Sequence, residues 1–279
     1  MQGSRSIATT RSNISDNMIT ARNTVHLLLA FFASVNQTKE VIILTYHSVG
    51  SNDDFYTVTP EAFSRQMEYL RNNYSIVPLS EVVDFAKGTK EMPRRSVSIT
   101  FDDGYRDFYS NVYPYFRKYE LPATVFVTTG YVGKEWAFNE YGLEMLTWDE
   151  IEEISINNIE IGAHTVTHPS LKKENRWKAE YEIIESKREI ETRLKKRVRF
   201  FSYPFGRYTD QVSEILKNSD FEAAVGGRGT VHKGSCLFPL NRVQIDRSVS
   251  FLQFKARLTK AVDWSRNIEQ AVRTLLGKR

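Results

Sequence analysis

A distorted (β/α) barrel of parallel strands, built as a single domain, is the fold this sequence predicts. Three observations lead there. From residue 41 onward short apolar strands alternate with helical periods, and such βαβ alternation implies a parallel sheet. About six to eight such units without an internal break close into one barrel more economically than into two open sheets. Polar residues gather where the strands end, which is where a barrel of parallel strands carries its function.

The elements follow in order. Residues 41–45 (VIILT) read as a buried strand. Thr59 and Pro60 open a helix, the hydroxyl as N-cap and the proline in the first turn, with Phe63, Met67 and Leu70 at helical spacing. Ser80 caps a second helix that Gly88 ends. Residues 97–101 (VSITF) form a core strand that runs straight into Asp102-Asp103-Gly104. A helix bent at Pro114 leads to the strand 123–128, and Thr147-Trp148-Asp149-Glu150 is a capping box. The strand 159–163 precedes His164, and a long charged helix covers about 174–195. A strand at 199–203 ends at Pro204, Thr209 starts a helix, 221–225 is a strand, and 251–258 is the last helix.

The folded domain is therefore 41–260, flanked by an N-terminal extension, 1–40, and a basic tail, 261–279. Residues 25–35 (VHLLLAFFASV) are apolar but too short to span a bilayer as a helix. Arg22 before them and Ala33 and Ser34 near their end have the layout of a signal peptide, with Met18 as an alternative start; a short amphipathic helix packed on the domain is the other reading. The expectation is a secreted or cell-envelope protein, with a cytoplasmic one as alternative, and membrane contact only through this segment. The net charge of +4 on 38 basic and 34 acidic residues excludes a dedicated nucleic-acid binder. The single cysteine, Cys236, excludes an intramolecular disulfide and a thiolate-rich zinc site, and reads as a small, partly buried side chain.

Four clusters sit at strand ends: Tyr46-His47, Asp102-Asp103, His164 with His168, and Tyr203-Pro204-Phe205-Gly206. Taken alone, Asp-Asp-Gly is an ordinary helix-capping turn, and two histidines are ordinary surface residues. Taken together they offer a two-His, one-Asp set for a divalent ion, with positions left over for water and substrate. Pro169 disfavours a helix at His168, so the histidine pair belongs on a loop. The second aspartate then has a separate task, taking a proton from water.

In this order, TFDDGY (100–105), HTVTH (164–168) and YPFG (203–206) resemble the polysaccharide deacetylases with a NodB-homology domain, a carbohydrate esterase type, and within them the poly-N-acetylglucosamine branch. The resemblance covers about 41–250. It implies a metal-dependent hydrolase that removes N-acetyl groups from an N-acetylglucosamine-containing polysaccharide by metal-activated water, with one divalent ion, usually Zn2+, for which Co2+ or Ni2+ substitutes. Carried over by position, Asp102 is the general base, Asp103, His164 and His168 are the ligands, and the turn after Pro204 walls the acetyl pocket with the Phe205 N–H facing the oxyanion. Tyr105, Tyr203, Pro204, Phe205, Gly206 and Arg242 complete the expected substrate-binding set. An O-acetyl esterase on a xylan-like polymer and a weakly active sugar-binding module are the alternatives.

Two positions depart from the family. Many members carry Arg two residues before the motif proline, where this chain has Ser202; Arg242 is the candidate replacement cation, a surface arginine beside a strand being the plainer reading. The late Leu-x-His motif that supplies a general acid has no match, since His232 lies in an unrelated GGRGTVHKG stretch. His47, in TYHSV, resembles an early motif of the poly-N-acetylglucosamine branch and is the candidate acid, against a structural role at the barrel mouth. Three further features read as non-functional: the basic run 193–199 as a solvated helix end, the Gly226–Gly229 stretch as a flexible loop, and most aromatics as core, with Tyr105 the favoured sugar-stacking exception.

Overall fold

Seven parallel strands close on themselves in the computed structural model, which describes residues 40–136 and 141–259. They are β1 (Val41–Tyr46), β5 (Ser96–Phe101), β6 (Ala123–Val127), β7 (Ile159–Ala163), β8 (Phe200–Ser202), β9 (Ala223–Arg228) and β10 (Leu240–Gln244). Around the ring the order is β1-β10-β9-β8-β7-β6-β5, and β5 returns to β1 over six residue pairs, from Val41 with Ser96 to Tyr46 with Phe101. A short β4 (Ser75–Ile76) also pairs with β5, and β2 (Ser48–Val49) pairs with β3 (Thr57–Val58) outside the barrel. The expected barrel is therefore present. The extension before residue 40, with its expected signal layout, and the tail 261–279 lie outside the described residues.

Both faces of these strands are covered, so they carry continuous apolar runs rather than alternation: β1, β5 and β6 are buried at every residue. Glycine appears where two strands' side chains would otherwise collide. A Cβ on Gly162 of β7 would lie 2.4 Å from the Phe126 ring, so the ring occupies that space instead.

Helices α1 (Pro60–Asn73), α2 (Leu79–Lys87), α3 (Tyr113–Lys118), α4 (Trp148–Ser155), α5 (Arg176–Leu194) and α6 (Asp210–Asn218) lie between the strands in sequence. Their starts follow local chemistry. Thr59 accepts from the Ala62 N–H with Pro60 in the first turn, and Thr147 with Glu150 forms a complete capping box. Gly88 ends α2 in the left-handed region at φ 79°, as expected. Ser80 is not the cap of that helix: α2 starts two residues earlier, at Leu79, with Pro78 in the cap position and no side-chain cap. The bend at Pro114 is a π-helical turn (Phe108–Val112) that runs into α3. After the barrel unit, α7 (Phe251–Arg257) starts with a capping box of Ser250 and Gln253. Among the described residues no helix is long and apolar enough to cross a membrane.

The Gly226–Arg228 stretch, expected in a flexible loop, belongs to β9. Its glycines serve close packing: a Cβ on Gly226 would sit 2.9 Å from the Tyr203 ring, and one on Gly227 would sit 2.2 Å from the Asn241 amide oxygen.

Candidate active site

The C-terminal ends of β5 and β7 bring three side chains to one point. Asp103 follows β5, and His164 and His168 follow β7. The Nε2 atoms of His164 and His168 lie 3.2 and 3.3 Å from Asp103 Oδ1, and one ligand atom from each of the three falls within a 4.8 Å set. All three side chains are buried.

Local backbone makes this convergence possible. Asp103 adopts φ 70° and Gly104 φ 88°, so the chain reverses immediately after β5 and the adjacent carboxylates of Asp102 and Asp103 diverge. Thr165 (φ 69°) and His168 (φ 57°) are also left-handed, which coils the histidine segment into a tight loop rather than a helix, as Pro169 indicated. Left-handed conformations in such non-glycine residues cost about 1 kcal/mol or more each and persist where surrounding contacts impose them. Here the contacts come from Glu182 of α5. Its wholly buried carboxylate accepts from the Val166 and Thr167 N–H groups, both at 2.8 Å, and from the Thr167 hydroxyl at 2.6 Å. On the loop's other side, Gly130 N–H donates to the Val166 carbonyl at 2.9 Å.

The donor set fits a cation. His164 Nδ1 lies 2.7 Å from the Ser202 carbonyl, which can only accept, so Nδ1 carries the proton and Nε2 presents its lone pair to Asp103. Asp103 Oδ1 receives no hydrogen bond among the described residues. Lone pairs of a carboxylate and an imidazole meeting in a buried space call for a positive charge between them. Ligands at about 2.0–2.1 Å in a tetrahedron stand roughly 3.3 Å apart, which the two N···O separations match. Burial pushes His168 down to about 4 and keeps it neutral, as a ligand must be. Burial also opposes a charge on His164, but the Asp103 and Asp102 carboxylates outweigh it and raise that group.

Asp102 is handled differently. Burial alone would raise its carboxyl, yet the Arg242 guanidinium holds it well below the usual carboxylate range. Arg242 donates from both terminal nitrogens, at 2.7 Å to Oδ1 and 2.6 Å to Oδ2, while the Ser202 hydroxyl donates to Oδ2 at 3.1 Å. Ser202, at the position where an arginine was missed, is thus a member of the same network and also accepts from Arg242 at 3.0 Å. Arg242 is buried rather than a surface arginine, and its terminal donors are spent on Asp102, Ser202 and Thr100. It holds the aspartate, the place foreseen for a replacement cation.

His47, following β1, is close enough to act electrostatically on Asp102, Asp103 and His168, and its Nδ1 has no hydrogen-bond partner among the described residues. Phe205 packs edge-on against His168, with ring centroids 4.7 Å apart, and is exposed. Its φ of 60° lifts it out of the turn, in which the Gly206 and Arg207 N–H groups bond the Tyr203 and Pro204 carbonyls and the Phe205 N–H takes no part. Gly206 is required at φ 62°, where a Cβ would meet the Gly226 carbonyl at 2.7 Å.

Two of the expected sugar contacts are buried. The Tyr203 ring is wholly buried beneath Gly226, with its hydroxyl 3.2 Å from the Ser213 hydroxyl, so it supports the turn from inside the core. Tyr105 is buried against Trp136 and Met145 and lies beside Asp103, backing that carboxylate. Pro204 is buried as well. Cys236 is exposed, and His232 lies beside Glu40 at 3.5 Å and Thr230 at 3.4 Å. Sequence reasoning missed Glu182; Trp136, weighed there as a sugar-stacking aromatic and read as core, has its ring 5.2 Å from His168. Glu182 had a legible sign: it is an acid on the buried stripe of α5, between Ala179 and Ile183.

A parallel barrel with a buried Asp-His-His group at its strand ends, and an ionised aspartate beside that group, defines a metal-site hydrolase. Comparison with known proteins narrows the class. Residues 89–224 match the family model described as polysaccharide deacetylase. YxkH of Bacillus subtilis (strain 168), assigned by name to the polysaccharide deacetylases, is 27% identical over 216 residues, 77% of this chain and 74% of that protein. The poly-beta-1,6-N-acetyl-D-glucosamine N-deacetylase of Staphylococcus aureus is 32% identical over 174 residues, and this chain spans 59% of its length. Among solved structures, IcaB from Ammonifex degensii superposes with a TM-score of 0.72 at 26% identity, covering 80% of this chain and 98% of that one. The Streptococcus pyogenes deacetylase PplD, solved with acetate, gives 0.69 at 25% identity over 78% and 98%. Over residues 89–224 the chain matches the polysaccharide deacetylase family.

Proposed function

We propose that this chain removes N-acetyl groups from an N-acetylglucosamine-containing polysaccharide of the cell envelope, with zinc as its metal. One observation carries the chemistry: Asp103, His164 and His168 converge on one buried point while the neighbouring Asp102 is held ionised by Arg242. The substrate class rests on the staphylococcal relative and on the fit of His47.

Asp103, His164 and His168 would hold a divalent ion, which when bound would supply Lewis acidity and lower the pKa of water. Imidazole and carboxylate donors suit zinc, with cobalt or nickel as substitutes. Asp102 takes the proton from that water, because its own carboxyl is kept charged and aimed by Arg242 and Ser202. The Phe205 N–H, left out of its turn, donates to the oxygen that gains charge. His47, close enough to act on Asp102 and Asp103, protonates the departing amine, which cannot leave as an anion. Acetate and a free glucosamine residue result.

The test is acetate release from an N-acetylglucosamine oligomer by chelator-treated protein, before and after zinc or cobalt is restored. Metal-restored release is expected. Release from O-acetylated xylan alone would transfer the site to an esterase, and release from neither would overturn the hydrolytic reading.

A further inference from the structure

The closed ring puts the ends of β1 and β8 on opposite sides of the barrel mouth, three strand steps apart in one direction and four in the other. Each end carries an exposed aromatic ring packed on a site histidine. After β8 it is Phe205, 59% exposed, against His168. In the segment leaving β1 it is Tyr56, 42% exposed, whose ring lies 4.7 Å from His47 at an interplanar angle of 37°. Phe55 stands edge-on behind Tyr56 at 5.2 Å and is 52% exposed.

The loop that presents Tyr56 is fixed rather than merely extended into solvent. Asp54 accepts the Tyr56 N–H at 2.8 Å, and Asn52 accepts both the Asp54 N–H and the Thr57 hydroxyl. Arg247 grips it from beyond β10, donating to the Phe55 and Asn52 carbonyls and pairing with Asp53 at 2.6 Å. Two adjacent exposed aromatic rings held in place beside a hydrolytic site offer a surface for a ligand.

The geometry points to Tyr56 as the second wall of a carbohydrate cleft, a stacking surface for the sugar next to the one being deacetylated, facing Phe205 across the mouth. This rests on the deacetylase reading. A pyranose with equatorial substituents turns a flat face of axial C–H groups outward, and such a face packs on an aromatic ring. A single N-acetylglucosamine reaches the metal without Tyr56, whereas a chain passing through the mouth is held on both sides. Tyr56 is therefore a specificity residue for polymer over monomer.

The experiment compares wild type with Tyr56→Ala and Tyr56→Phe in the metal-loaded protein. Calorimetric titration with a glucosamine tetramer, a product that is not consumed, reads the cleft independently of catalysis. Tyr56→Ala is expected to weaken tetramer binding about five- to tenfold, the worth of one aromatic stack, and Tyr56→Phe to restore it. With an N-acetylglucosamine tetramer as substrate, the loss is expected in KM rather than kcat. Equal tetramer affinity in all three proteins would overturn the proposal. So would a fall in kcat at constant KM, which would assign Tyr56 to His47 alone. Equal affinity with loss of binding to anionic lipid vesicles would assign the loop to a membrane surface. Tetramer binding that depends on Tyr56 in a protein that releases no acetate would uphold the cleft and overturn the deacetylase reading.

Discussion

Arg242 and Asp102 meet as a bidentate pair, both guanidinium nitrogens on both carboxylate oxygens at 2.7 and 2.6 Å, and neither side chain is more than 8% exposed. The two residues come from β10 and the end of β5, and β1 lies between those strands. Their pairing therefore depends on barrel closure.

Arg242→Lys removes the fork and leaves a point charge. Burial, which raises the Asp102 carboxyl, then prevails over a weaker opposing field. Asp102 must be ionised to accept a proton, so activity is lost at low pH sooner in the variant. The acid limb of kcat/KM is expected to move up by about one unit or more relative to wild type. An unchanged acid limb would show that Arg242 does not tune the base. Arg242→Met, which strands the buried carboxylate, is expected to cost about 3–5 kcal/mol of stability in addition.

A metal bound only by the folded chain stabilises it by mass action, by about 4 kcal/mol at a thousandfold excess over Kd. Chelator is therefore expected to lower the melting temperature of wild type. Asp103→Asn weakens the one anionic ligand of the group and should abolish most of that response. A variant that still responds fully to chelator would place the metal elsewhere.

Most of this site was legible in the sequence because it is local. Asp102-Asp103, HTVTH and YPFG each follow a strand whose apolar run is unmistakable, and helix starts at Thr59, Thr147 and Thr209 are written in single hydroxyls. What stayed hidden depends on distant packing. β10 contains Asn241 and Arg242 and has no clean apolar run, so only its neighbours reveal it as a barrel strand. Tyr105 looked available beside the metal motif, but a partner more than thirty residues away, Trp136, covers it. Glycines 226 and 227 looked like a loop because a sequence does not show which ring they must clear.

Glu182 gives a prediction that separates support from chemistry. It accepts two backbone N–H groups and a hydroxyl from the loop between His164 and His168. Glu182→Ala leaves those donors unsatisfied in a buried place, at about 1–3 kcal/mol for each group. Zinc affinity is expected to fall 10- to 100-fold, as with other partners that orient ligands from behind. Glu182→Gln retains an acceptor oxygen and should recover most of the affinity. Metal titration with a competing chromophoric chelator distinguishes the two; equal affinities in both variants and wild type would remove Glu182 from the site.

Asp107 controls stability rather than catalysis, and the sign follows from its environment. Burial pushes its carboxyl up to about 6 from an unfolded value near 3.8, although the Ser48 hydroxyl donates to it. The folded state therefore binds this proton more tightly than the unfolded state. Its contribution is fully present below about pH 4 and is lost as pH rises through 6. Asp107→Asn has no such proton to lose. Between pH 4 and pH 7 the stability of wild type relative to the variant is expected to drop by about 2–3 kcal/mol, so that the substitution costs most in acid and least at neutrality. Paired urea titrations at the two pH values measure this difference while cancelling every other titrating group. A difference that is constant with pH would mean that Asp107 titrates normally and that the burial around it is not dry.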